Sequence, residues 1–278
     1  MTESAIVAAK RAINPWSKGQ ADSNSVREKL MAVQTEDGKQ QTTKLERIGK
    51  RAQLKKDTVF NNIGHTVDLD MLRVSYRQLG GKKAIGIDGV TKAAYGANLE
   101  NNLQDLLGRL RRNAYKPQAS KLVEIPKEDG STRPLAISCF EDKIVQQSVS
   151  KILTTIFEPD FLPCSYGYRE KRNGHEALRA LMKYSNQNAD GITIEIDLRK
   201  YFNSIPHVNL QSILREKISD KWFLKLVEKL MKAPVLTNGK AELNKQGCPQ
   251  GSIVSPILSN IYLHHVIDNW FSEISKSH

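Results

Sequence analysis

ITIEIDLRKYFNSIPH, residues 192–207, decides how the whole chain is read. Ile192, Ile194 and Ile196 alternate with Thr193, Glu195 and Asp197, which is the period of a strand with one apolar face. Asp197 closes the alternation on the face opposite the isoleucines, and two cations, two aromatics and Pro206 follow it. The spacing predicts a half-buried strand that carries a carboxylate to its end and then turns. A carboxylate so placed suits a hard cation such as Mg²⁺, which prefers oxygen and keeps substrate phosphates in its shell. It equally suits an Asp that does no more than start a turn, and the stretch by itself leaves both readings open.

The surrounding chain is that of a folded protein. Its 278 residues, 39% hydrophobic and 26% charged, are enough for one large domain or two modest ones. No run approaches the roughly 20 apolar residues of a membrane span. The first residues, MTESAIVAAKRAINPWSKG, lack the unbroken apolar core and small-residue cleavage site of a signal peptide. Cys139, Cys164 and Cys248 are far apart and form no CxxC pair, which argues against a disulfide framework or a zinc site. The expected compartment is the cytoplasm. A net charge of +12 favours polyanionic partners, and within residues 1–60 twelve cations face seven anions.

Along the chain, residues 1–24 read as a loose arm, and residues 25–60 as polar and helix-compatible, with Gly38 an expected interruption. Helices are expected from Asp68 to Leu79, from about Tyr95 to Arg112, from Asp142 to Phe157, and from His175 to Tyr184. Further helices are expected over 208–218, 221–232 and 255–274. The runs KLVEIPKEDGSTRPLAI (121–137) and VLTNGKAEL (235–243) each carry a turn dipeptide between short apolar segments, the mark of a hairpin. Strands and helices without strict alternation make the fold class α+β.

Three further segments carry candidate chemistry. In QGCPQGSIVSPILSNIYL (246–263), a glycine-rich turn lets backbone approach a ligand, Gln250 offers an amide, and Gly251 offers a backbone N–H; a capped helix start is the plainer reading. Lys127 and Arg133 flank the Asp129-Gly130 turn, where two cations are placed to grip a triphosphate or simply to face solvent. In SYGYREKRNGHEAL (165–178), Arg169, Lys171 and Arg172 interleave with Tyr166 and Tyr168, a pattern that fits stacking on a nucleic-acid strand or a buried ring pair under a solvated loop. Arg109, Arg111 and Arg112 form a basic helix end. His175 and His207 stand at helix starts, where capping or packing accounts for them.

Taken in order, these segments resemble the reverse transcriptases encoded by bacterial group II introns, over about residues 68 to 274. GIDGVT (86–91) is similar to an early block of that family, and IPKEDGSTRPLAI, EDKIVQQSVSKIL and IFEPDFLPCSYGYREKRNGHEAL to its fingers. ITIEIDLRKYFNSIPH resembles the palm strand bearing the first catalytic aspartate, and QGCPQGSIVSPILSNIYL the block before the second catalytic strand. The resemblance implies a right-hand polymerase arrangement with antiparallel palm strands packed on helices. It divides the chain into a basic arm over 1–67, fingers over 68–190 and a partial palm over 191–278. Asp197 and the Leu198 carbonyl would hold metal, and Phe202 would exclude a 2′-hydroxyl. Lys127, Arg133, Gln250 and Gly251 would hold the incoming deoxynucleoside triphosphate. Arg109, Arg111, Arg112, Arg169 and Arg172 would bind intron RNA or the RNA template with its DNA primer. The implied reaction is in-line attack of a primer 3′-hydroxyl on the α-phosphate with two Mg²⁺, coupled to assistance of intron splicing.

One departure is large. The family's Tyr-x-Asp-Asp strand should follow the Pro-Gln-Gly block, and no Asp-Asp pair occurs in the sequence. A shortened polymerase, with little or no activity by itself, is the expectation. An RNA-binding module without catalysis, or a related reverse transcriptase with a defence role, are the alternatives, and a homodimer is left open.

Overall fold

The computed structural model describes residues 36–128, 130–188, 190–237 and 240–274. Two compact units are distinguished. The described part of one is Leu162–Leu198; the other comprises Thr35–Phe161 and Arg199–His278, so far as they are described.

The larger unit is built around α5 (Phe140–Phe157), whose Ile144, Val145, Val149, Ile152, Leu153 and Ile156 are fully buried. That spacing gives the helix apolar residues on more than one face, so it is packed by α1 (Glu36–Leu54), α2 (Leu69–Gln78) and α10 (Ser255–Leu263). The helix α1 runs through Gly38, which was expected to interrupt it; one glycine costs a helix only about 1 kcal/mol. Asp68 caps α2 by accepting from the Met71 N–H at 2.9 Å, and its other oxygen pairs with Lys44 of α1.

The helix expected over 95–112 is two helices, α3 (Lys92–Gly96) and α4 (Leu99–Arg111). The Tyr76 hydroxyl stands 2.1 Å from where a Cβ on Gly96 would lie, so the break falls at the one residue that permits this approach. The start of α5 is tied back to this region by Asp142, which is buried. It accepts from the Tyr115 hydroxyl at 2.5 Å and the Gln118 N–H at 3.0 Å.

The hairpin of β1 (Ser120–Pro126) and β2 (Thr132–Ile137) forms as expected, in register from Lys121↔Ile137 to Pro126↔Thr132. Parallel pairing of Ser120 and Lys121 with Val235 and Leu236 adds β3 (Val235–Thr237), and β4 (Lys240–Glu242) completes a sheet of order β2-β1-β3-β4. The turn residues Asp129, Asn238 and Gly239 lie outside the described residues. Two successive helices in contact, α8 (His207–Lys217) and α9 (Lys221–Met231), join this unit. The buried Asp220 starts α9 by accepting from the Phe223 N–H, and its second oxygen accepts from the N–H groups of Ile63 and Gly64 at 2.9 and 2.8 Å. The last helix is interrupted at 264–268 by a π-turn, and α11 (Asn269–Ile274) follows.

The expectation that fails is the strand at 192–197. Those residues have no regular structure, and Ile192, Ile194 and Ile196 are 92%, 79% and 80% exposed. Alternation marks out two faces, but a strand also needs a ladder partner for its backbone groups. Among the described residues the sheet β2-β1-β3-β4 takes no strand from this stretch. In the same unit α6 (Gly174–Gln187), capped by Asn173, has no buried residue.

Candidate nucleotide-binding site

Two of the segments singled out in the sequence, the turn of Phe202 and the 121–137 hairpin, dock on one stretch, residues 246–252. Its far end docks on the hairpin. The Ala136 N–H of β2 donates to the Gln250 carbonyl at 2.6 Å, and Gly251, at φ +105°, would bring a Cβ within 2.6 Å of the Ala136 carbonyl. Arg133 lies three residues earlier on β2, opposite Ile125, and is half-buried. Lys127 is exposed beside the hairpin tip, which its N–H helps close by donating to the Ser131 carbonyl at 2.7 Å. Both cations thus sit toward the tip of the two-stranded ribbon, while Ala136, paired with Leu122 toward its other end, holds the Gln250 backbone.

The near end of the segment docks on the turn that carries Phe202. Lys200 adopts the left-handed conformation (φ +51°), which lets the chain reverse into the single helical turn α7 (Tyr201–Ser204). The Cys248 N–H donates to the Phe202 carbonyl at 2.7 Å, and the Gly247 N–H to the Ile205 carbonyl at 2.8 Å. The Tyr201 hydroxyl donates to the Ser259 carbonyl of α10 at 2.8 Å, and its ring meets the Phe202 ring edge-on at 5.8 Å. Behind these contacts, the buried His207 directs Nε2 at the Gly247 carbonyl (2.7 Å), which also accepts from Asn244 Nδ2 at 2.8 Å. A carbonyl only accepts, so Nε2 carries the proton.

Gln146 of α5 completes the frame. Its side chain is buried, accepts from the Ile253 N–H and donates to the Ser138 hydroxyl, both at 3.0 Å. Cys248 is buried, and that burial pushes its thiol up to about 12. Sequence reasoning singled out Phe202, Gln250 and Gly251 but passed over Tyr201, Asn244, Gln146 and Gly247. Of these only Gly247, at φ +79°, leaves a trace in the sequence, as a glycine beside the motif.

Asp197 and Leu198 belong to the other unit, where both are exposed. In that unit Arg169 donates to the carbonyls of Leu162 and Ser165, each at 2.7 Å. Arg172 donates to the Pro163 carbonyl at 3.1 Å and lies over the Tyr166 ring. These two arginines brace the loop that carries them. In the larger unit Arg109 is held by Asp105 at 2.7 Å and Glu141 at 2.8 Å, whereas Arg111 and Arg112 are exposed. Lys229 secures the end of α4 by donating to the Asn113 and Tyr115 carbonyls at 2.8 Å. Among the described residues no helix is long and apolar enough to cross a membrane.

A β-hairpin bearing two cations, an aromatic turn and a Pro-Gln-Gly segment are thus joined as one frame by backbone contacts. Residues 125–278 match the family model described as reverse transcriptase (RNA-dependent DNA polymerase), and the chain belongs to that family. Protein YkfC of Escherichia coli (strain K12) is 37% identical over 182 residues, 64% of this chain and 48% of that protein. The group II intron-encoded protein LtrA of Lactococcus lactis subsp. cremoris is 33% identical over 224 residues, 80% of this chain and 37% of that protein. Among solved structures, a chain of a partial Cas6-RT-Cas1--Cas2 complex covers 73% of this chain and 35% of its own at 20% identity and a TM-score of 0.46, too distant to bear on the architecture. The chain spans less than half the length of YkfC or LtrA.

Proposed function

We propose that this chain supplies the nucleotide-selecting part of a group II intron reverse transcriptase, which copies RNA into DNA and assists splicing of its intron RNA. The observation that carries the reading is the frame just described. One six-residue segment, 246–251, holds the turn of Phe202 at one end and the strand of Arg133 at the other. In this reading Lys127 and Arg133 take the triphosphate of a deoxynucleotide, Gln250 and Gly251 contact the nucleotide, and the Phe202 ring closes on the 2′ position of its sugar. The exposed Arg111 and Arg112 meet RNA. The chemistry is attack of a primer 3′-hydroxyl on the α-phosphate.

The divalent ion of this proposal is Mg²⁺, with Asp197 and the Leu198 carbonyl as its contacts. When bound, such ions stabilise the attacking and leaving oxygens. A single exposed carboxylate does not make a two-metal site, and no cluster of three or more His, Cys, Asp or Glu occurs among the described residues. The residues in hand account for binding and orienting the nucleotide and for choosing its sugar.

Template-directed nucleotide selection can be read without turnover. With an RNA template and a DNA primer, the deoxynucleotide complementary to the templating base should slow dissociation of the complex by roughly tenfold, and the other three should not. Tight RNA binding that ignores added nucleotide would instead make the chain an RNA-binding module.

A further inference from the structure

We propose that Gly247 is a positioning residue for sugar selection: its missing side chain sets where Phe202 stands. The inference deepens the proposed function and rests on Phe202 closing on the sugar. The turn bearing Phe202 is only four helical residues long and begins at a left-handed lysine, so its own hydrogen bonds cannot fix it. What fixes it is the strap of residues 246–248. Gln246 Nε2 donates to the Ser204 carbonyl at 2.8 Å, Gly247 N–H to the Ile205 carbonyl at 2.8 Å, and Cys248 N–H to the Phe202 carbonyl at 2.7 Å. Three consecutive residues thus bind three of the four carbonyls from Phe202 to Ile205.

Gly247 lies in closest contact with the turn. A Cβ there would meet Asn203 Cα, Asn203 C and the Phe202 carbonyl oxygen, all at 2.6 Å. These are backbone atoms, so no rotamer change relieves the contact, and at φ +79° a side chain is strained in any case. Nor can the strap retreat easily. His207 and Asn244 hold the Gly247 carbonyl from behind, and the Gln250 carbonyl and Gly251 are pressed on Ala136. A methyl at 247 is therefore accommodated by moving the backbone of 202 and 203, which carries the Phe202 ring with it. A shift of about an ångström is enough to alter a steric choice between hydrogen and hydroxyl at the 2′ position.

The test compares how strongly the complementary deoxynucleotide and ribonucleotide each stabilise the complex of the full chain with RNA template and DNA primer. The unaltered chain should favour the deoxynucleotide, and Phe202→Ala should bring the ratio close to one. Gly247→Ala should lower the ratio by roughly tenfold while the deoxynucleotide still binds. Gln246→Ala, which removes one clamp and adds no clash, should lower it less; its circular dichroism should match the parent's, so it carries the test even if Gly247→Ala does not fold. A parental ratio in both strap variants, or equal weakening with both sugars, would overturn the positioning role while leaving the gate intact. An unchanged ratio in Phe202→Ala, or no sugar preference in the unaltered chain, would overturn the gate reading and this inference with it.

Discussion

The N–H of Cys248 donates to the carbonyl of Phe202 at 2.7 Å, joining two motifs that lie 46 positions apart in the chain. With the Ala136–Gln250 hydrogen bond at 2.6 Å, it makes residues 246–251 a bridge between an aromatic turn and a cationic hairpin. At both of these joints the contact is between backbone groups, a Phe202 carbonyl at one and a Gln250 carbonyl at the other.

Asp142 should give the larger unit a distinctive pH dependence. Burial pushes its carboxyl up to about 6, against roughly 4 in an unfolded chain. The folded state therefore holds this proton more tightly, and the group's contribution to stability is fully present below about pH 4 and lost as pH rises through 6. The thermal midpoint should fall over that window, and less steeply in Asp142→Asn. That variant should also be less stable by about 1–3 kcal/mol, since an amide N–H₂ would face the Tyr115 hydroxyl or the Gln118 N–H. Parallel pH profiles for the two proteins would contradict this.

Asp220 does two jobs, capping α9 and holding the N–H groups of Ile63 and Gly64. Removing it leaves three donors without partners at a buried place. Asp220→Ala should lower the free energy of unfolding in urea by about 2–4 kcal/mol. A loss within 0.5 kcal/mol, the range of roughly neutral surface changes, would mean that the cap and the loop are held by other contacts.

Ile194 is 79% exposed, so Ile194→Thr should change stability by less than about 0.5 kcal/mol. The half-buried strand read from its alternation would have lost about 1–3 kcal/mol. Equilibrium unfolding of the one variant separates the two pictures.

The basic end of α4 should divide its labour. Arg109 is engaged with Asp105 and Glu141, and Arg109→Ala should cost about 1–2 kcal/mol of stability with little change in RNA affinity. Arg111→Glu with Arg112→Glu should weaken RNA binding and flatten its dependence on salt by about one to two log units per log unit of KCl. Filter binding across a salt series reads both, and an unchanged slope in the double variant would remove these arginines from the RNA surface.

The helices were legible because their signals are local. The spacing of Ile144, Val149, Ile152 and Ile156 marks α5, and Asp68, an N-cap signal, marks where α2 starts. Both hairpins were legible from their turn dipeptides. The stretch at 192–197 misled because its alternation is also local, whereas a strand exists only with a partner. In the site, Phe202 and Gln250 could be singled out by residue type and motif. The strap could not, since it works through the N–H groups of Gly247 and Cys248 and the carbonyls of Phe202 and Ile205, which every residue possesses. Gln146 reads as an ordinary helix residue until its two hydrogen bonds to distant segments are seen.

The most direct measurement is photolabelling of the full chain with 8-azido-dATP in the presence of an RNA template and DNA primer, followed by peptide mapping. If the hairpin, the Phe202 turn and the Pro-Gln-Gly segment form one nucleotide pocket, label should appear in peptides spanning 132–137, 199–206 or 246–252 and be displaced by dATP. Label that dATP does not displace, or that falls on other helices and spares these three segments, would contradict the account.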